Sequence, residues 1–130
     1  MTKPLAVITG ASSGIGEATA KAFSNAGYPT LLLARRIEIM ESFNLKNSIC
    51  KKIDVRDRDA LVSAIREAEK QYGPTDMMFN NAGVARLADI STQDPSEWDE
   101  MIDVNTKGVM NGIYAVMRDM KARKSVTIVN

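Results

Sequence analysis

Apolar residues in this chain come either in short unbroken runs or at helical spacing, and the two patterns alternate from end to end. Residues 5–8 (Leu-Ala-Val-Ile), 30–34 (Thr-Leu-Leu-Leu-Ala) and 77–80 (Met-Met-Phe-Asn) show almost no polar interruption, the pattern of parallel strands covered on both faces. Residues 48–53 are less apolar, as suits an edge strand, and residues 125–130 read as a fifth strand. Between these runs lie helical stretches. Residues 17–26 carry Ala18, Ala20, Ala22, Phe23 and Ala26 and are stopped by Gly27. Residues 37–43 predict a short helix. Residues 58–72 place Leu61, Ile65 and Ala68 on one face, with Asp57 as N-cap and Gly73-Pro74 as the stop. After a loop over 84–93, Asp94, Pro95 and Glu97 predict a capping-box start to a helix with Trp98, Met101 and Ile102 facing the core. Residues 108–124 then form a long helix whose apolar side is Met110, Ile113, Met117 and Met120.

Composition narrows the class without naming a function. With 130 residues, 45% hydrophobic and 25% charged, the chain reads as one globular domain over residues 1–130. A net charge of +1 offers no electrostatic case for a nucleic-acid partner, and no apolar run approaches membrane-spanning length. Strand-like sequence follows Lys3-Pro4 without a hydrophobic leader, which leads us to expect a cytoplasmic protein. The chain holds no histidine and a single cysteine, so neither an imidazole nor a cysteine-cluster metal site can be assembled from it. Cys50, with no base to pair with it, reads as a small buried hydrophobe.

The chemistry concentrates in Thr9-Gly10-Ala11-Ser12-Ser13-Gly14-Ile15-Gly16, between the first strand and the first helix. A strand, a glycine turn and a helix start in that order read as the phosphate loop of a dinucleotide-binding unit. Gly10 turns the chain off the strand, Gly14 admits a pyrophosphate close to the backbone, and Gly16 lets the helix pack on the sheet. The N–H groups of the first helical turn and the positive end of the helix dipole then face the phosphates. Where an acidic residue at the end of the second strand would bind the hydroxyls of NAD, this chain has Ala34 followed by Arg35 and Arg36. Without that carboxylate a 2′-phosphate meets no repulsion, and a guanidinium gives it charge-assisted hydrogen bonds of roughly 1.5–3 kcal/mol each. The expected cofactor is NADP(H).

The spacing Thr-Gly-x-x-x-Gly-x-Gly, together with Asn80-Asn81-Ala82-Gly83 after the fourth strand, resembles the short-chain dehydrogenase/reductase family. The resemblance runs the length of the chain and implies a doubly wound Rossmann-type α/β fold, three layers deep, with a parallel sheet in the order 3-2-1-4-5. It implies that Gly10, Ser12, Ser13, Gly14, Ile15 and Gly16 contact the cofactor, that Asp54 and Val55 bound the adenine, and that Asn81, Ala82 and Gly83 line the nicotinamide ribose. It implies that Asn80 is mainly structural. Asn105 falls at the place of the family's catalytic asparagine, whose backbone carbonyl holds a water in the proton path. It implies further that the 108–124 helix shares in a subunit interface of a homo-oligomer.

The family's catalytic Ser and Tyr-x-x-x-Lys do not occur in these residues. The three tyrosines, Tyr28, Tyr72 and Tyr114, are followed four positions on by Leu32, Asp76 and Arg118. The expectation is therefore the N-terminal, cofactor-binding portion of an NADPH-dependent carbonyl reductase or alcohol dehydrogenase, itself inactive and exposing apolar surface. The alternative is a non-catalytic NADP(H)-binding module.

Overall fold

The computed structural model describes residues 2–130. Five strands, β1 (Leu5–Thr9), β2 (Thr30–Ala34), β3 (Ser48–Lys52), β4 (Thr75–Phe79) and β5 (Ile128–Val129), form one sheet in the order β3-β2-β1-β4-β5. All four pairings are parallel. The helices are α1 (Gly14–Asn25), α2 (Ile37–Glu41), α3 (Arg58–Tyr72), α4 (Pro95–Ile102) and α5 (Gly108–Arg123), with one π-turn over Asp103–Lys107 between the last two. None of the described helices is long and apolar enough to cross a membrane.

Side chains alternate across a strand, so the unbroken apolar runs feed two cores at once. Leu31 and Leu33 of β2 join Leu5, Val7 and Met78 against Leu61, Ile65, Val116 and Met120 of α3 and α5. Leu32 and Ala34 join Ile8 on the other face against Ala20 of α1 and Met40 of α2. This is the three-layer, doubly wound arrangement that the sequence pattern and the resemblance implied, and it opens a crevice where the chain leaves β1 for one face and β4 for the other.

Several expectations about elements need correction. α1 starts at Gly14, not at residue 17, and it buries Gly16 and Ala20 while Ala18, Ala22 and Ala26 face outward. β4 begins two residues before residue 77, and β5 is two residues long because only Ile128 and Val129 pair with Met78 and Phe79. Asp94 caps α4 through the Ser96 amide at 2.8 Å, but Glu97 accepts from Gln93 and does not complete a capping box. No residue of α4 is buried: Trp98 and Ile102, expected in the core, are exposed, and the indole donates to Gln93 at 2.7 Å. The buried side of α5 is Gly108, Asn111, Gly112, Ala115, Val116 and Met120, rotated from the expected stripe, with Met110 62% exposed. Small residues explain that rotation. Gly108 and Gly112 bring the helix against Val55 and Asn80 too closely for a methionine to lie between. Cys50 is only half-buried, and burial followed by the nearby Glu41 charge pushes its thiol pKa up, which keeps it unreactive.

Candidate dinucleotide site

The loop after β1 is shaped by its three glycines in different ways. Gly10 has φ of +63°, and a Cβ there would meet Ala82 Cα at 2.8 Å. Gly16 has no room for a Cβ because the Gly10 carbonyl oxygen lies against it. Gly14, at φ +57°, faces open space. The first two glycines thus serve packing, and the third is set by its positive φ with open space beside it. Ser13, the N-cap of α1, is extended and its hydroxyl makes no capping bond, so the first-turn amides keep their donors for another acceptor.

A buried threonine ties this loop to the end of β4. Thr9 Oγ1 accepts from the amides of Asn81 at 3.0 Å and Ala82 at 2.9 Å. The Asn81 side chain donates to the Gly10 carbonyl at 3.2 Å, and Asn80 Nδ2 donates to Asn130 Oδ1 at 2.9 Å across the β4–β5 ends. Both asparagines therefore fasten strand ends, Asn80 entirely within the structure and Asn81 on the crevice wall.

The crevice itself is a cavity of about 730 Å³ at the carboxyl ends of the strands, large enough for a dinucleotide. Gly10, Ser12, Ser13, Arg35, Arg36, Asp54, Val55, Asn81, Ala82 and Gly83 all line it. Gly14, Ile15 and Gly16 do not reach the lining, and the Ile15 side chain is 77% exposed. Ala34 sits at the end of β2 on the wall, and Arg35 and Arg36 are exposed beside it without an ion pair among the described residues. Asp54 is gripped by Arg56, with Oδ2 accepting from the guanidinium at 2.6 Å. Those hydrogen bonds, against a smaller opposing effect of burial, hold its carboxyl below the usual aspartate range. Val55 is fixed from behind, its carbonyl accepting from the buried Asn111 amide at 2.8 Å and its side chain pressed on Gly108.

Asn105 lies in the π-turn, outside the cavity lining, and its side chain bonds away from its own helix. Its amide forms a two-way clamp on Val84, accepting from the amide and donating to the carbonyl, both at 2.8 Å. The extra residue of the π-turn aims that side chain at the strand-end segment.

A family model described as short chain dehydrogenase matches residues 4–130. The chain belongs to the short chain dehydrogenase family. It is 40% identical to an uncharacterized oxidoreductase of Listeria monocytogenes over 95% of its own length and 52% of that protein. It is 36% identical to the acetoacetyl-CoA reductase of Paracoccus denitrificans, covering 97% of this chain and 53% of that one. The alcohol dehydrogenase of Thermococcus sibiricus, solved with 5-hydroxy-NADP, superposes with a TM-score of 0.87 at 28% identity, over 97% of this chain and 57% of that one. The chain thus spans about half the length of the curated relatives it matches.

For a chain of the short chain dehydrogenase family, the donor set fits a phosphorylated dinucleotide. The uncapped N-terminus of α1 and the arginines without ion pairs would hold phosphates, while Ala34 and Val55 offer apolar wall. Several contributors escaped the sequence reading, among them the apolar lining residues Leu33, Ile53 and Val104. Thr9 and Asn111 act through hydrogen bonds between elements distant in sequence, which no local pattern reveals. Val84 and Lys52 line the cavity from a loop and a sheet edge whose placement depends on the whole fold.

Proposed function

We propose that residues 1–130 form the dinucleotide-binding domain of an NADP(H)-dependent oxidoreductase acting on a small carbonyl or alcohol. The observation that carries this reading is the shared cavity: Ala34, Arg35 and Arg36 line the same 730 Å³ space as Gly10 and Ser13. Phosphates at the α1 N-terminus place the adenosine end over β2, where the arginines meet a 2′-phosphate and no carboxylate repels it. Asp54 and Val55, both on the cavity wall, bound the adenine. Asn81, Ala82 and Gly83 hold the opposite ribose, and the nicotinamide, when bound, donates or accepts hydride. Asn105 orders the Val84 segment, and its backbone carbonyl is our candidate for the catalytic asparagine's water-holding role. The Thermococcus relative bound to an NADP derivative and the acetoacetyl-CoA reductase support the cofactor and the reaction class. The exposed Met110 and Tyr114 of α5 support a homo-oligomer.

Titration of the chain with NADPH and NADH, followed by cofactor fluorescence, tests the proposal. We expect NADPH to bind at least tenfold more tightly, with the preference lost in Arg35→Ala. Equal affinities would sink the NADP(H) assignment, and no binding of either would sink the dinucleotide reading. The whole protein's activity is tested by NADPH consumption against a panel of small aldehydes and ketones.

A further inference from the structure

We infer that Lys52, at the end of β3, is a third cation for the 2′-phosphate and sets cofactor preference together with Arg35 and Arg36; this rests on the NADP(H) reading above. The register pairs Lys52 directly with Ala34, the position whose missing carboxylate makes room for that phosphate. Paired residues of neighbouring strands point to the same face. Lys51 turns to the α3 face, where its ammonium meets Glu67 at 3.1 Å, so Lys52 projects to the opposite face, shared with Ala34 and α2. Both Ala34 and Lys52 line the cavity, and Arg36 sits there as the N-cap of α2.

Charge points the same way. Among the described residues Lys52 has no acidic partner within an ion-pair distance, and neither has Arg35 or Arg36. The one carboxylate on this part of the lining, Asp54, is already engaged by Arg56. Three cations from two adjacent strand ends therefore line one wall without a close ion pair of their own, Arg35 feeling Asp54 and Glu100 only at longer range, an arrangement suited to a phosphate dianion. A lysine on an edge strand also discourages sheet-to-sheet pairing, and that role alone would leave cofactor affinity untouched.

The test is calorimetric titration of the chain and of Lys52→Ala with NADPH and NADH, with Arg35→Ala as reference. The inference expects Lys52→Ala to weaken NADPH binding about three- to tenfold, leave NADH binding unchanged, and lower the salt dependence of NADPH affinity. Lys52→Glu should weaken NADPH further without touching NADH. If the chain prefers NADPH and Arg35→Ala loses that preference while Lys52→Ala keeps it, Lys52 is only an edge guard and the inference falls alone. If the unmodified chain does not distinguish the two cofactors, the NADP(H) reading falls and takes the inference with it.

Discussion

Gly112 and Asn80 show how much of this site rests on single atoms. Asn80 is buried, its Nδ2 reaches Asn130, and its Oδ1 has no hydrogen-bond partner and lies where a Cβ on Gly112 would stand. Gly112→Ala must therefore push the amide away and break its bond to Asn130, which we expect to cost about 1–3 kcal/mol as overpacking of a tight core. Urea unfolding measures it; a loss under half a kilocalorie would mean α5 simply slides. Asp54 and Arg56 make a prediction in pH. Because the Arg56 hydrogen bonds depress the folded pKa of Asp54, the pair stabilises the fold above the unfolded aspartate value of about 3.9, and the contribution disappears as pH falls through the depressed value. Both side chains are partly exposed, so the contribution should stay under about 1 kcal/mol. Arg56→Ala should raise the Asp54 pKa in a carboxyl NMR titration and lower stability at pH 7 with little effect near pH 2. An unmoved Asp54 would show that Arg56 swings free in solution.

At the scale of elements, the π-turn before α5 is the joint that matters. It delivers Asn105 to Val84, the first residue of the 84–93 loop. Removing two hydrogen bonds of about 1 kcal/mol each frees Val84, while Arg86 and Gln93 still tie the rest of the loop to α4, so the segment should open locally while the sheet persists. Asn105→Ala is expected to speed amide exchange around Val84 about thirtyfold and leave β1 unchanged; uniform loss of protection would instead mark Asn105 as part of the global fold. The same joint shows what a sequence can and cannot reveal. The strands, α3 with its Asp57 cap and the glycine loop were legible because each depends on local grammar, an unbroken apolar run, a cap or a glycine spacing, whereas Asp54, Val55, Asn81, Ala82 and Gly83 were named through the family resemblance. Asn105 was legible as a position but not as a clamp, since its partner lies 21 residues away. The buried face of α5 was misread for a related reason. Methionine hydrophobicity suggested the stripe, yet the close approach to Val55 and Asn80 selects glycine and alanine, and only the packed partner reveals that choice.

For the molecule as a whole, ligand and fold should be linked, because the cavity is walled by the ends of four strands and the start of α1. A dinucleotide that bridges β1, β2, β3 and β4 binds only when they are assembled, so it stabilises the folded chain by mass action. At a free concentration a hundred times its dissociation constant, NADPH should add about 2.7 kcal/mol, or roughly 10 °C in the thermal midpoint of a domain this size. NADH at the same concentration should give a smaller shift. Ala34→Asp provides the sharper comparison. A carboxylate at the end of β2 would pair with Arg35 and repel a 2′-phosphate, while offering the free hydroxyls of NADH an acceptor. In that variant the NADPH shift should fall below the NADH shift, a reversal that no general loss of stability can mimic. If Ala34→Asp weakened both cofactors equally, the adenosine end would not lie over β2, and the arginines beside it would be serving some other anion.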